Sequence, residues 1–247
     1  MLLFLKLIQF TLFFDFDKNN AMINNKVLPV IEKTVTAIKK EKYEIDADTP
    51  ILYLLRIVLS RGIMLIRGTF NKIGLKSAGK TVFIGNRVKL RCKAKMSIGT
   101  GVTIGDNVYI DALSKKGLTL GDGVNIGAGT VIRCSGNFKK MGVGFVMGDN
   151  SSLADNCFVG ATGGVWIGND VIGGQNIRFH SSNHNFRDTK VLIRKQGISA
   201  KGIRVGNNCW IGAGVVFCDG VTVEDGCVIA ANSVVTKSFP ENSIKPL

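Results

Sequence analysis

The chain has 247 residues, of which 45% are apolar, and 32 Lys and Arg against 18 Asp and Glu give a formal net charge of +14. This apolar fraction excludes a disordered chain, because enough surface can be buried to offset the entropy of ordering. The 30 glycines follow no Gly-x-y period, which excludes collagen. Six cysteines are too dilute for a disulfide scaffold, and no uncharged apolar run is long enough for a clean membrane span.

The glycines and cysteines divide the chain into two regions. Residues 1–80 contain only 4 of the 30 glycines, and all six cysteines lie beyond them. The sequence therefore predicts an N-terminal helical segment over residues 1–80, basic and apolar, and a domain of different construction over residues 81–247.

Three segments stand out in the N-terminal region. Met1–Phe16 is strongly apolar, with the single charge of Lys6 before Asp15. It lacks a basic start and a small-residue cleavage site, so we interpret it as an interfacial or packing segment rather than a signal peptide. Pro29–Ala47 is rich in Lys and Glu and predicts a polar helix, and Ile51–Phe70 predicts a second helix that begins after a proline.

The second predicted helix is basic as well as apolar. Ile51–Phe70 is long enough to cross a bilayer but contains Arg56, Arg61 and Arg67, each of which would cost about 2.5–3.5 kcal/mol at the bilayer centre. One interpretation is that this helix lies on an anionic membrane surface. This would place the protein in the cytoplasm, at the inner face of the membrane. The other interpretation is that the helix packs on the following domain or on a partner subunit.

From residue 84 onward a large apolar residue recurs at every sixth position. An α-helix does not repeat at six, whereas short strands separated by turns do. Three such hexads close one triangular coil, and stacked coils pair their backbones in parallel about 4.8 Å apart. The sequence therefore predicts an all-β solenoid, a parallel β-helix. The first residues of the hexads form six sets: Ile98, Ile104, Ile110; Leu120, Ile126, Ile132; Met147, Leu153, Val159; Ile167, Gly173, Phe179; Val205, Ile211, Phe217; and Val223, Ile229, Val235.

Breaks in the period occur only after the third hexad of a set. Extra residues follow Ile110, Ile132, Val159 and Phe179. The insertions are therefore expected to leave the solenoid at the same corner, coil after coil. Gly173 is the one gap in the inward column, and we expect a bulky neighbour to fill it.

Two further hexad positions have expected roles. A Gly or Asp in the second place is expected to permit the turn between strands, and a small residue in the fifth place is expected to fit inside the corner. Cys157, Cys209 and Cys227 occupy the fifth place. We therefore expect them to be reduced and buried, acting as small hydrophobic side chains.

Over residues 80–243 the pattern resembles the hexapeptide-repeat acyltransferases, most closely in the stretch GIRVGNNCWIGAGVVFCDGVTVEDGCVIAANSVVTKSFPENS, residues 202–243. It is similar to the maltose and galactoside O-acetyltransferases and especially to the acetyltransferases of capsule, O-antigen and colanic acid synthesis. The resemblance implies a left-handed parallel β-helix preceded by an α-helical segment. It also implies a homotrimer that uses acetyl-CoA and no metal to acetylate a sugar hydroxyl of a surface polysaccharide or its precursor.

The chain has only two histidines, His180 and His184. His184 precedes the long excursion of residues 185–204, and in the resembled family the histidine at this place is the general base. A sugar hydroxyl is a poor nucleophile, and an imidazole can remove its proton near neutral pH. His180 follows an inward position, so it should point outward. It could support acceptor binding, as could Asp155 and Asn156 on the preceding coil, or it could be a surface residue.

The resemblance also implies which residues contact CoA. A pantetheine arm needs a slender groove lined by backbone and small residues, and Lys237 is suited to a CoA phosphate. Trp210 follows an inward cysteine, so it should face outward. The six residues that match the CoA-contacting positions are Trp210, Gly212, Ala213, Ala231, Thr236 and Lys237.

The sequence allows three alternatives to sugar O-acetylation to be stated. The same base would serve N-acetylation of a nucleotide-linked amino sugar. A catalytically silent β-helix could act as an assembly scaffold. Nucleic-acid binding is motivated only by the net charge of +14, and the sequence shows no basic platform interleaved with aromatic residues, so nucleic acid is not expected as a partner.

Overall fold

The computed structural model describes residues 28–33, 36, 42, 44–46, 48–136 and 141–245. The predicted apolar segment Met1–Phe16 lies outside these residues. The chain forms two compact units, Met1–Ile63 and Met64–Leu247. The domain boundary at residue 80 remains a prediction.

The helical elements partly match the predicted ones. Residues 28–33 and 36 are helical, but residues 44–46 are not, so the helix predicted over Pro29–Ala47 is shorter than expected. Here the backbone N–H of Ile45 donates to Glu32 Oε1 at 2.8 Å, which places residue 45 beside residue 32. Helix α1 spans Ile51–Asn71 and confirms the second predicted helix. Over the described residues, no helix is both long and apolar enough to cross a membrane.

Short parallel strands form three long sheets, which we call A, B and C. Sheet A contains β1 Ser77–Ala78, β4 Met96–Ile98, β7 Leu118–Leu120, β10 Phe145–Met147, β13 Val165–Ile167, β18 Ile203–Val205 and β21 Thr222–Val223. Sheet B contains β2 Val82–Ile84, β5 Val102–Ile104, β8 Asn125–Ile126, β11 Ser152–Leu153, β14 Ile172–Gly173, β19 Trp210–Ile211, β22 Val228–Ile229 and β24 Ile244–Lys245. Sheet C contains β3 Lys89–Arg91, β6 Tyr109–Asp111, β9 Val131–Arg133, β12 Phe158–Gly160, β15 Arg178–His180, β20 Val216–Phe217 and β23 Val234–Val235. Two single 3-10 turns lie at Lys93–Lys95 and Ile193–Lys195.

The chain visits the sheets in the order A, B, C, and each circuit is one coil of a left-handed parallel β-helix. The first residues of the hexads face one another across neighbouring coils, as Ile98 does Leu120 in sheet A and Ile132 does Val159 in sheet C. These residues form one buried column. The predicted fold class, a parallel β-helix of hexapeptide repeats preceded by an α-helical segment, is confirmed.

The gap in the column at Gly173 is filled by its neighbours. A Cβ at Gly173 would lie 2.9 Å from Leu153 Cδ2 and 3.3 Å from Ile177 Cδ1. The two bulky side chains therefore occupy the space that a larger residue would take, as expected. On the inner side of sheet C, the rings of Phe179 and Phe217 stack with their centroids 4.8 Å apart.

The expected role of the second hexad position is wrong. Gly105, a second-position glycine, lies outside the left-handed backbone region. A Cβ on it would lie 2.6 Å from the backbone nitrogen of Ala128 in the next coil. The turn itself is made by the fourth position, where Asn107 has a φ of 58°. The second position is thus often glycine because adjacent coils approach closely there, and at these turns the fourth position is Asn, Gly or Asp because these residues tolerate a positive φ.

The insertions leave the solenoid where sheet C passes to sheet A, as predicted. We call this edge the C–A corner and the edge between sheets B and C the B–C corner. After β15 the chain forms an arm, in which β16 Asn183–His184 pairs antiparallel with β17 Ile198–Ser199. The chain rejoins sheet A at Ile203, slightly earlier than the predicted end of the excursion at residue 204.

The cysteines at the fifth hexad position behave as expected. Cys157, Cys209 and Cys227 are buried and free. Burial raises the pKa of the Cys157 and Cys209 thiols above the usual range, so both remain protonated at neutral pH.

Candidate active site at the C–A corner

His184 lies at the base of the arm with its side chain exposed. Its backbone pairs with Ile198 on the returning strand, so the arm fixes the direction in which His184 leaves the solenoid. The base of the arm is anchored by Ser181, whose hydroxyl donates to the carbonyl of Gly160 at 2.7 Å and accepts from the backbone N–H of Gly163 at 2.9 Å. Ser181 is buried, so this anchor ties the arm to the preceding coil.

The arm beyond His184 is ordered by one glutamine. Gln196 Nε2 donates to the carbonyls of Asp188 and Val191, both at 2.7 Å. The Gln196 Oε1 atom accepts from the backbone N–H of Asp188 at 3.2 Å. A single side chain therefore cross-links the arm internally.

His180 lies on sheet C, four residues before His184, and borders an open cavity of about 190 Å³. Its ring lies 5.5 Å from the ring of Phe158, centroid to centroid. The described residues that line the cavity include basic, aromatic and hydroxyl side chains and no carboxylate: Arg133, Ser135, Gly136, Phe158, Gly160, Thr162, His180 and Ser182. The outward orientation expected for His180 is therefore observed, and this residue borders the concave surface of the cavity.

Cys134 lies beside the cavity but is no candidate nucleophile. It is fully buried, and burial raises the pKa of its thiol to about 12. Since the thiolate is the reactive form of cysteine, Cys134 is inert at neutral pH. The imidazole that borders the cavity is that of His180.

The six residues expected to contact CoA fall into two groups. Gly212 and Ala213 lie at the B–C corner, where a Cβ on Gly212 would lie 2.7 Å from the Cα of Ala231 in the next coil. Trp210 precedes them on the outer face of sheet B with 58% of its surface exposed, which matches the predicted outward orientation. Thr236 and Lys237 follow β23 and lie exposed at the C–A corner.

Within one chain, sheet C therefore separates the two groups of CoA candidates. The strand pairing β15, β20, β23 puts the residues after β23 two coils beyond His180 along the C–A corner. The structure thus brings Thr236 and Lys237 to the same corner as His180 and His184. It places Trp210, Gly212, Ala213 and Ala231 on the other side of sheet C.

The other acceptor candidates lie at the B–C corner. Asp155 Oδ1 accepts from the backbone N–H of Ala128 at 2.7 Å, and Asn156 adopts a positive φ of 59°. Both residues thus contribute to the turn of their coil. The side chain of Asn156 also lies against Gly129 of the neighbouring coil.

Sequence reasoning missed Arg133 and Phe158. Both flank an inward residue of a third hexad, Ile132 or Val159, and therefore point outward from sheet C. The sequence did contain a signal for these two residues. The residues immediately before and after the third inward residue of each set are the ones that point outward from sheet C. These residues are about one coil apart in the sequence, so no local motif connects them.

No cluster of three or more His, Cys, Asp or Glu side chains in the described part of the chain could hold a metal ion.

Two family models match the repeats. Residues 202–237 match the bacterial transferase hexapeptide family (six repeats), and residues 95–134 match the hexapeptide repeat of succinyl-transferase. The two matches lie on the coils that precede and follow the cavity and the arm.

Curated relatives share the repeat region. The chain is 28% identical over 166 residues to a probable acetyltransferase of Mycobacterium tuberculosis, which covers 66% of this chain and 46% of that protein. It is 38% identical over 81 residues to the galactoside O-acetyltransferase of Escherichia coli, covering 32% of this chain and 38% of that protein. The chain thus spans less than half the length of these two relatives.

Among solved structures, the chain is similar to AntD, an N-acyltransferase from Bacillus cereus, with a TM-score of 0.48 and 20% identity over 72% of this chain and 82% of that one. The residues that match the two family models are among those that stack as coils in the structure. Residues 95–134 and 202–237 therefore contain hexapeptide repeats similar to those of bacterial transferases.

Proposed function

We propose that the protein transfers an acetyl group from acetyl-CoA to a sugar hydroxyl of a surface polysaccharide or its precursor. The observation that carries this proposal is the placement of His184, exposed at the root of an anchored arm on a hexapeptide-repeat solenoid. Similarity to proteins named as acetyltransferases, one of them a galactoside O-acetyltransferase, supports it.

In the proposed reaction His184 is the general base. Its imidazole takes the proton of the acceptor hydroxyl while the hydroxyl oxygen attacks the thioester carbonyl. A new ester C–O bond forms, the C–S bond breaks, and the departing CoA sulfur receives a proton. The thioester is already activated, so the reaction needs no covalent enzyme intermediate.

We assign CoA to the residues that the resemblance names. The exposed Trp210 offers an aromatic face, and the close approach of Gly212 to Ala231 leaves a surface of backbone and small side chains for the pantetheine arm. Lys237 would bind a phosphate as a point charge. Since sheet C separates Trp210 from Lys237 within one chain, we propose that the complete CoA site forms between two copies of a homotrimer.

The arm supports the proposed trimer. It exposes Phe186, Leu192 and Ile193, with 68% of the surface of Phe186 accessible. Covering these side chains with a neighbouring copy would remove apolar surface from water. Analytical ultracentrifugation is expected to give a trimer, and a monomer at micromolar concentration would contradict this assembly.

We further propose that α1 contacts the inner face of the cytoplasmic membrane. It exposes Leu52, Ile63 and Phe70, carries Arg56 and contains no acidic residue. Such a helix gains from anionic lipid both by apolar burial and by charge. The full chain should sediment with phosphatidylglycerol vesicles and not with phosphatidylcholine vesicles. Equal recovery with both, or with neither, would contradict membrane contact.

An acceptor panel tests the proposed reaction. The protein is incubated with acetyl-CoA and galactosides, maltose, acidic oligosaccharides or nucleotide-linked amino sugars, and both free thiol and the mass of the acceptor are measured. We expect thiol release matched by an acetylated acceptor whose acetyl group is removed by mild alkali, as an ester is. An alkali-stable product would identify N-acetylation instead. No product with any acceptor would leave the scaffold alternative.

A further inference from the structure

The outer face of sheet C carries many basic and aromatic side chains. Residues that flank an inward residue on a strand point to the outside, so each strand of sheet C presents two outward positions. The strand pairing aligns these positions from coil to coil into two adjacent rows. One row contains Arg91, Asp111, Arg133, Gly160 and His180, and the other contains Lys89, Tyr109, Val131, Phe158 and Arg178.

The aromatic and basic members of the rows are in direct contact. The guanidinium of Arg133 lies 5.0 Å from the centre of the Tyr109 ring, and that of Arg91 lies 5.7 Å from the same ring. Tyr109 therefore orients two guanidinium groups through cation–π contacts. Phe158 and His180 form the next ring pair along the face.

The face is strongly positive. Lys89, Arg91, Arg133 and Arg178 are all exposed, and over the described residues none of them forms a salt bridge. Asp111 is the one acidic residue in the two rows, and its Oδ1 accepts from the backbone N–H of Leu113 at 3.1 Å. The positive charge of this face is therefore available to a ligand from solution.

The cavity beside His180 adds the features of a sugar site. Its volume is about 190 Å³. Phe158 forms an apolar wall, the hydroxyls of Thr162 and Ser182 line the rim, and Arg133 supplies the charge. Gly160 keeps the floor open, since a Cβ there would lie 3.1 Å from the Phe158 ring.

We propose that the outer face of sheet C binds the acceptor as an extended acidic oligosaccharide, with a carboxylate-bearing sugar held at Arg133. The row from Arg91 to His180 crosses four strand spacings, about 19 Å at about 4.8 Å each, which suits several linked sugars rather than one. Guanidinium groups bind carboxylates through paired hydrogen bonds, and the Phe158 face stacks on a sugar ring. The cavity end of the row includes His180, which lies four residues before the proposed base His184 in the chain.

This proposal rests on the proposed function, because it names the acceptor class of the same enzyme. Its test is therefore a binding measurement made without CoA. Calorimetry compares an oligogalacturonate, a neutral malto-oligosaccharide of the same length and a single-stranded oligothymidylate. The variants are Arg133→Gln on the outer face of sheet C and, as a charge-matched control, Lys80→Gln in the exposed turn between β1 and β2.

We expect the oligogalacturonate to bind and the malto-oligosaccharide not to bind. Arg133→Gln should weaken oligogalacturonate binding by about tenfold, the scale of a lost charge-assisted contact, while Lys80→Gln should leave it within about twofold. Equal binding of the neutral sugar, or equal losses in the two variants, would overturn the proposal. Oligothymidylate binding that is as tight and depends on Arg133 would overturn the assignment to a glycan. If the protein binds the oligogalacturonate through Arg133 but acetylates none of the acceptors, the proposed binding site is upheld and only the proposed reaction is overturned.

Discussion

Glycine and asparagine have separate jobs within each hexad. Gly105 faces the backbone of the next coil, whereas Asn107, two residues later, makes the turn with a φ of 58°. In the sequences Gly-Asp-Asn and Gly-Asp-Gly, the first residue is a glycine because a Cβ would not fit there. The third residue is one that tolerates the left-handed backbone region. The sequence analysis assigned the turn to the first of them, because either property explains a glycine.

A pair of glycine substitutions tests this division at the level of a single residue. Gly105→Ala would place a Cβ 2.6 Å from the backbone nitrogen of Ala128, which cannot move aside like a side chain. We expect overpacking to lower the free energy of unfolding by about 1–3 kcal/mol and Tm by roughly 3–10 °C. The control is Gly136→Ala, whose added Cβ would lie 3.4 Å from Thr162 Oγ1. Equal Tm values for the two variants by scanning calorimetry would contradict the close-approach explanation.

Among the secondary-structure elements, the arm is the part of the fold that the hexad pattern could not describe. The pattern located its departure after Phe179, and the structure confirms it. Its internal order depends on Gln196, which contacts Asp188 across the arm. Nothing in a six-residue period indicates such a contact, because the arm lies outside the repeat.

Removal of this cross-link tests whether the arm positions His184. Gln196→Ala deletes the hydrogen bonds to Asp188 and Val191, so the arm should open more often while the solenoid stays folded. Hydrogen exchange should become faster over residues 185–197, kcat for acetyl transfer should fall, and Tm should change by less than about 2 °C. Gln175→Ala removes an exposed glutamine side chain from the B–C corner and is the matched control. Unaltered exchange and kcat in Gln196→Ala would mean that the cross-link does not hold the arm.

For the whole molecule, the sequence was sufficient to predict the solenoid and its register. Every inward residue from Ile98 to Val235 faces its predicted partner, because a six-residue period and its breaks determine which hexads stack. The cavity was not predictable in this way. Arg133 and Phe158 meet only because one coil lies on the next, and their outward positions have no period of residue type. The inward residues of the solenoid repeat the same apolar type at a fixed period, whereas the outward residues that line the cavity do not.

The placement of the net charge likewise depends on the folded structure rather than on any local stretch of sequence. From the sequence, part of the net charge of +14 was assigned to a basic helix that meets lipid and part to a surface that meets CoA phosphates and acidic glycans. Folding gathers part of it, Arg91 and Arg133, onto one face around Tyr109. Because these residues lie tens of positions apart in the chain, the basic and aromatic platform forms only in the stacked coils.

The central claim is that His184 removes a proton from the acceptor during acetyl transfer. The most direct test measures kcat for acetyl-CoA and the best acceptor of the panel in the wild-type protein and in His184→Ala, beside His180→Ala, with Tm recorded for each. We predict that His184→Ala keeps its Tm and loses at least about 100-fold in kcat, the usual scale of general-base catalysis, while His180→Ala mainly raises KM. A His184→Ala protein that turns over at the wild-type kcat would contradict the account.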